Sequence, residues 1–457
     1  MKPTTSLFAR RVSLFWRIHF WAALIASPFA LVAALTGILY IFTPQIEAAL
    51  YRGLEQTTPA VVMRPLDEAV AAATAAAPPG WDLLSVAPAY RPGDTVKLVF
   101  APGVATPGVA TPGVATPGAV AGGHEGHQHG RAKAAAPKFG LPARALLVYV
   151  DPSSAMVLGN LPAQERFGIW AQKLHSRLLQ GEGWRWMIEL AASWMLVMLL
   201  TGVYLWWPRG GRRVLPAAGA RGRSAWRQWH AFLGVALGAV TFVILVTGLT
   251  WSKYAGEQVR LVRDASGQAS PQAPPGLRST LVDGAEPLSW DGAWQAARRQ
   301  APDVALQLTA PRAAGDTWRA SAAGRGQPEK RFDLQFDAYS GRALYYAGWE
   351  RQTLFGKATA IGIRFHRGEF GWWNQALLLV FGASVVFSLL SGWVMFFKRR
   401  RAGALSLPRL LPGAWKSASP LAWLTLAVLC AAMPLLALSG CLLVLLEVAL
   451  HRPWRGV

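Results

Sequence analysis

Of the eight histidines in the 457-residue chain, four stand at matched places. His19 and His230 each follow an arginine, Arg17 or Arg227, by two or three residues and open an apolar run. His175 and His366 each come shortly before another such run. A single histidine near a membrane surface is ordinarily a headgroup anchor. Four at equivalent positions around apolar helices point instead to ligation, because neutral imidazole is an axial ligand for haem iron and helix bundles project such ligands inward. Three further histidines, His124, His127 and His129, lie within the phrase HEGHQHG. Together they suit weak binding of a divalent transition metal, or a solvated linker that catches metal adventitiously.

The elements that position the four histidines are membrane helices. The chain is 53% hydrophobic and 15% charged, too apolar for a soluble protein of this length. Five stretches lack Asp, Glu, Lys and Arg for 18 residues or more: Phe20–Phe42, Leu190–Trp207, Ala231–Ser252, Phe370–Phe397 and Ser417–Leu446. Each is long enough to cross a hydrocarbon core of about 30 Å as a helix. The net charge of +22 is sorted by segment rather than spread as a nucleic-acid surface. The segment before the first run, the loop between the second and third, and the loop after the fourth are basic and free of acids, while 22 of the 24 acids fall within 45–185 and 253–369. The positive-inside rule puts the basic segments in the cytoplasm and the two long segments in the periplasm of a multi-pass inner-membrane protein, with no nucleic-acid partner. Cys430 and Cys441 lie eleven residues apart on one expected helix, beyond disulfide reach.

The two halves read as one unit written twice. His19 precedes Gly37 by 18 residues, and His230 precedes Gly248 by 18. His175 precedes Gly202 by 27, and His366 precedes Gly392 by 26. Between them, Pro65-Leu66 and Pro287-Leu288 open Ala-rich helical patterns, each followed by a Gly-Asp-Thr turn and a strand-turn-strand phrase. The expected fold is a membrane all-α bundle of five transmembrane helices, built from a duplicated helix–module–helix unit, with two periplasmic α+β modules. The expected divisions are the N-terminus and first helix over 1–44, a first module over 45–183, and the second and third helices with their cytoplasmic loop over 184–252. A second module over 253–369, a fourth helix over 370–397, a cytoplasmic loop over 398–416 and a fifth helix with a periplasmic tail over 417–457 follow. The first module carries an insertion over 102–130 in which PGVAT repeats precede the histidine cluster. Such a Pro/Gly tract builds no core.

On these phrases the chain resembles the family of PepSY-associated transmembrane proteins, which includes siderophore reductases and iron-regulated membrane proteins. The resemblance rests on WRIHFWAAL at Trp16–Leu24, VDPSSAMVLG and FDAYSGRAL in the modules, HSRLLQGEGWRW at His175–Trp186 and FHRGEFGWW at Phe365–Trp373. It covers nearly the whole chain and is weakest at the fifth run.

A parallel repeat has its pseudo-twofold axis along the membrane normal, so equivalent residues meet at equal depth. His19 with His230, and His175 with His366, would then hold two haem b groups, one near each face. The ring nitrogens in each pair would stand about 4 Å apart, given metal–imidazole bonds of about 2 Å. Trp16, Trp21, Phe29, Trp194, Phe242 and Phe381 would supply aromatic walls. No flavin or nicotinamide fingerprint occurs, so electrons would come from a cytoplasmic flavoprotein or membrane quinol. The resemblance implies a periplasmic ferric chelate, such as an iron–siderophore complex, as acceptor, with release following because hard oxygen ligands hold Fe(III) better than Fe(II). A non-enzymatic regulator and a histidine-lined metal transporter are the competing readings.

Overall fold

The computed structural model describes residues 6–103, 141–142, 144–207, 215–324, 327–399 and 407–451. The insertion with His124, His127 and His129, and much of the two expected cytoplasmic loops, lie outside the described residues.

Helix α1, Leu7–Ile41, starts where the Ser6 hydroxyl accepts from the Ala9 N–H at 3.2 Å. At about 1.5 Å per residue its 35 residues exceed the thickness of a bilayer core, so it projects beyond the apolar stretch read from sequence. The projection continues as α2, Thr43–Leu50, and α3, Arg52–Glu55, which carry the chain to α4, Leu66–Ala76. Strands β1, Trp81–Ala87, β2, Val96–Pro102, β3, Leu146–Val150, and β4, Val157–Pro162, form an antiparallel meander. The chain returns through α5, Phe167–Arg177, into the long apolar helix α6, Trp186–Trp206.

The second half follows the same course. Helices α7, Gly222–Ala236, and α8, Gly238–Thr250, make one span only as a bent pair, with a 60° break flanked by Gly234 and Gly238, residues of weak helix propensity. Then come α9, Ala255–Ala265, α10, Trp290–Gln300, and strands β5, Leu306–Thr309, β6, Trp318–Ala322, β7, Asp333–Phe336, and β8, Ala343–Ala347. Helix α11, Leu354–His366, leads into α12, Trp372–Arg399.

The two modules share one eight-stranded sheet, ordered β4-β3-β2-β1-β5-β6-β7-β8. Its seam is the β1–β5 pair, with Val86 opposite Leu308 and the Gln307 side chain donating to Ser85 Oγ at 2.8 Å. One apolar core runs across the seam: Leu66, Ala69 and Ala73 of α4 and Ala293, Ala296 and Ala297 of α10 pack on Val86, Leu98, Val148, Leu308 and Leu334. The N-termini of α4 and α10 cap each other. Asp67 accepts from the Trp290 and Asp291 N–H groups at 2.9 and 3.2 Å, and Asp291 from those of Leu66 and Asp67 at 2.9 and 3.3 Å.

Among the described residues three helices, α1, α6 with its short lead-in, and α12, are long and apolar enough to cross a membrane, and the bent α7–α8 pair makes four. The expected fifth span, 417–446, is not one helix. Met433 leaves helical geometry before Pro434, which lacks an N–H and clashes with a continuing turn, so the segment divides into α13, Pro420–Ala432, and α14, Pro434–His451. Both outer ends return to the first part of α1. The Arg11 Nε donates to the Ser417 carbonyl at 2.6 Å, and the buried Arg17 binds Glu447 at 2.7 and 3.0 Å. The segment is therefore a helical hairpin whose two outer ends lie against the first part of α1, in place of the single fifth span expected from sequence.

Candidate functional site

The four histidines come from four different helices, α1, α7, α5 and α11, and each lies against a neighbouring helix in the same setting. His19 Nδ1 is 3.1 Å from the Met198 carbonyl and 3.0 Å from Thr201 Oγ1 on α6. His230 Nδ1 is 3.0 Å from the Ser388 carbonyl and 3.0 Å from Ser391 Oγ on α12. His366 Nδ1 is 3.1 Å from the Ile244 carbonyl and 3.1 Å from Thr247 Oγ1 on α8. His175 Nδ1 is 3.1 Å from Thr36 Oγ1 on α1, with the Ala33 carbonyl as its backbone partner.

This setting decides which ring nitrogen carries the proton. Each hydroxyl donates back to carbonyls of its own helix: Thr36 to Val32 at 2.7 Å, Thr201 to Val197 at 2.8 Å, Thr247 to Val243 at 2.7 Å and Ser391 to Ser388 at 2.9 Å. With that proton committed, the hydroxyl oxygen can only accept from the imidazole, as can the backbone carbonyl. Nδ1 is then the N–H, and the Nε2 lone pair is left for a ligand. Among the described residues no hydrogen bond is made by any of the four Nε2 atoms.

The residue after each hydroxyl is glycine. A Cβ at Gly202 would stand 3.2 Å from His19 Cε1, at Gly37 3.4 Å from His175 Cε1, at Gly248 3.2 Å from His366 Cε1, and at Gly392 4.0 Å from His230 Cε1. The glycines let each ring lie close against a helix backbone. Sequence spacing picked out these four glycines as marks of the repeat, without assigning a histidine to any of them. His19 rests on Gly202, rather than on Gly37 of its own helix, and His175 rests on Gly37. The hydroxyls of Thr201 and Ser391 were missed, although a hydroxyl residue before each of the four glycines was visible.

His19 and His230 meet across α1 and α7, their ring centroids 6.4 Å apart and their planes at 84°. Two metal–imidazole bonds of about 2 Å, plus roughly an ångström from each nitrogen to its ring centre, give about 6 Å for two imidazoles on one iron. The spacing fits. His175 and His366 sit on α5 and α11, the short helices that lead into α6 and α12. His175 lines a small pocket with Phe29, Val32, Ala33, Arg177 and Met187. The two turns after these histidines both use left-handed backbone: Leu178 (φ 51°) follows His175 closely, and Gly368 (φ 72°) follows His366. Leucine adopts that conformation at a cost of about 1–2 kcal/mol, a strain held at the site.

The aromatic residues divide. Trp16 stacks beside His19 at 6.4 Å, and Phe29 lies by His175 and, like Phe381, packs on the cluster of Ala30, Ala191, Val385 and Leu389. Trp21 and Trp194 instead secure the α13–α14 hairpin, through Glu447 and Ser439. Phe242 is exposed.

The two acids on membrane helices have structural partners. Buried Glu189 caps α9, accepting from the Tyr254 and Ala255 N–H groups at 2.9 and 2.7 Å, and Glu447 pairs with Arg17. Among the described residues no three His, Cys, Asp or Glu side chains form a group able to hold a metal ion. His19 and His230 are a pair of imidazoles, the number that the two axial positions of a haem require.

Comparison with curated proteins finds no match. The family model for the PepSY-associated TM region matches residues 16–399, a stretch that contains all four histidines, all four hydroxyl–glycine seats and the whole sheet, and leaves out the α13–α14 hairpin. The chain belongs to the PepSY-associated transmembrane family.

Proposed function

We propose that the protein is a haem-binding electron carrier of the bacterial inner membrane that reduces periplasmic ferric chelates, of the iron–siderophore kind, so that Fe(II) is released. The observation that carries this reading is the fourfold setting of the histidines, each with Nδ1 held by a carbonyl and a hydroxyl and Nε2 left over, with one pair of rings spaced for a shared iron. His19 and His230 would hold one haem b, and His175 and His366 a second. Bound haem supplies a one-electron couple. The chain's own residues orient the ligand rings, exclude water and set the charge around them. The finer architecture belongs to the same reading: α1–α6 and α7–α12 are two copies of one unit, set in parallel about an axis along the membrane normal.

Electrons would enter from a cytoplasmic flavoprotein or from quinol and leave to a ferric chelate beneath the sheet. A metal transporter would need carboxylates free to carry cations, whereas Glu189 and Glu447 are committed to a helix N-terminus and to Arg17. A pure regulator would need no prepared Nε2. The test is the visible spectrum of the purified, air-oxidised protein. A Soret band with about two haems per chain, bleached in steps by His19→Ala and His175→Ala, is the expected result. A colourless protein that stays colourless after haem is supplied refutes the reading.

A further inference from the structure

The sheet carries different chemistry on the two halves of the face turned away from α4 and α10. Under β1–β4 that face is apolar and covered: Val99, Leu147 and Tyr149 pack with Leu54 of α3 and Ile169 of α5. The lysine on it, Lys97, stands opposite Tyr149 and is paired with Glu55 at 3.0 Å. Under β5–β8 no apolar cluster forms among the described residues. Leu308, Trp318, Leu334 and Phe336 enter the core shared with α4 and α10, so the residues alternating with them lie on the other face. The strand register then sets Thr309, Arg319, Gln335 and Tyr345 in one row across β5, β6, β7 and β8, each directly opposite the next.

Side chains directly opposite one another stand about 5 Å apart, close enough to share one ligand. What this row has to spare is hydrogen-bond donors. Gln335 Oε1 accepts from Thr317 Oγ1 at 3.1 Å, which leaves the amide N–H groups over. The Tyr345 hydroxyl oxygen is buried with no hydrogen-bond partner among the described residues, and the Arg351 guanidinium lies 5.8 Å from the centre of the Tyr345 ring. Arg319 is exposed and, unlike Lys97, has no ion pair or hydrogen bond among the described residues. In the adjoining row Asp333, opposite Ser321 and diagonal to Arg319, is the one acid, so Arg319 and Arg351 outnumber it. A guanidinium, an amide and a phenol in line, with the positive charge in excess, fit an anion rich in oxygen acceptors. We propose that Arg319, Gln335 and Tyr345 form the binding site for an anionic, oxygen-ligated ferric chelate. The site rests on, and deepens, the proposed function, because it names the half of the sheet and the groups that receive the acceptor.

The experiment is calorimetric titration of the full chain in detergent with ferric citrate, comparing the unaltered protein with Arg319→Gln, Tyr345→Phe and Arg298→Gln. Arg298 lies on α10, over Trp294 and on the opposite face of the sheet, so its loss removes the same charge away from the row. Losing a charge-assisted contact at Arg319 should raise the Kd about tenfold or more, and losing the single hydroxyl of Tyr345 about threefold to tenfold, while Arg298→Gln leaves it unchanged. Tyr345→Phe deletes one oxygen that no described residue bonds, so its melting temperature should match that of the unaltered protein. The site is overturned if the unaltered protein does not bind ferric citrate, if either row variant binds as the unaltered protein does, or if Arg298→Gln weakens binding as much. The proposed function fails separately. Protein that binds ferric citrate through this row but takes up no haem keeps the site and loses that function, whereas haem-loaded protein that reduces ferric citrate with the same KM in every variant does the reverse.

Discussion

Adding one methyl group at each of the four glycines under the histidines separates packing from ligation. In a helix, Gly→Ala ordinarily stabilises by about 0.5–1 kcal/mol, because glycine loses more backbone freedom on folding. At Gly392 the new Cβ would be 4.0 Å from His230 Cε1, an ordinary contact, so the helix gain should survive and haem should be retained. At Gly202 and Gly248 the Cβ would be 3.2 Å from His19 and His366, so each ring must shift by a few tenths of an ångström or its seat must open. Nδ1 is held at 3.0–3.1 Å by its hydroxyl and carbonyl, so the shift stretches those bonds and turns Nε2 off axis. A strain of about 1 kcal/mol would cancel the helix gain, and any misdirection of Nε2 lowers haem affinity further, within the roughly 10–100-fold range of lost ligand support. Gly37, at 3.4 Å from His175, should fall between. Haem-to-protein ratio and thermal midpoint, measured together in detergent, give the order Gly392, then Gly37, then Gly202 and Gly248. Equal haem retention in all four alanine variants, or selective loss in Gly392→Ala, would refute the argument.

Thr201→Val removes one of two acceptors from His19 while leaving the Met198 carbonyl, so haem at the inner pair should weaken toward the lower end of that 10–100-fold range, read from haem transfer to apomyoglobin. Glu447→Leu leaves Arg17 buried without its carboxylate, a loss of about 3–5 kcal/mol, and should loosen the α13–α14 hairpin; faster maleimide labelling of the native Cys430 is the readout, and an unchanged rate counts against the pairing. Reporter fusions within 208–214 and directly after α14 should report the same side of the membrane, whereas opposite sides would restore a fifth full crossing. At the seam, burial and the nearby Asp67 raise Asp291, while Asp67 is held below the usual carboxylate range because hydrogen bonds from Asp291 and from the Trp290 N–H outweigh its burial. Stability from Asp291 is lost as pH rises through its raised value, and stability from Asp67 as pH falls through its lowered one. The melting temperature should therefore peak in mildly acid solution, and Asp291→Asn should flatten the limb above the peak.

The sequence showed which residues to watch more clearly than how they meet. Hydropathy located α1, α6 and α12 because a bilayer demands long charge-free helices, and the matched spacings around Pro65-Leu66 and Pro287-Leu288 anticipated α4 and α10. The division at Met433–Pro434 is marked in the sequence by the proline alone, because apolar composition is the same on both sides of it. That the last segment returns was invisible to hydropathy; it depends on the buried Arg17–Glu447 pair, whose members are 430 residues apart in the chain. The joining of the modules through β1 and β5 could not be read either, since a strand edge carries the same alternation whether water or another strand covers it. At the site, the four matched histidines were legible from symmetry, but the crosswise seating of His19 on Gly202 and His175 on Gly37 depends on helix neighbours that spacing along one chain does not encode.

The seam at β1 and β5 has a consequence for assembly. A chain stopping after α6 would leave β1 as an open edge, with Val86 and Ser85 uncovered and the first turn of α4 lacking the cap that Asp291 provides. An antiparallel pair of identical edges is related by a twofold axis, so the partner best matched to that edge is another copy of the same half. Such a homodimer would set Asp67 against Asp67 and bring two copies of His19 to one level and two of His175 to another. Half-length chains expressed alone should therefore associate through this edge instead of remaining monomeric, and charged residues placed on β1 should keep them apart.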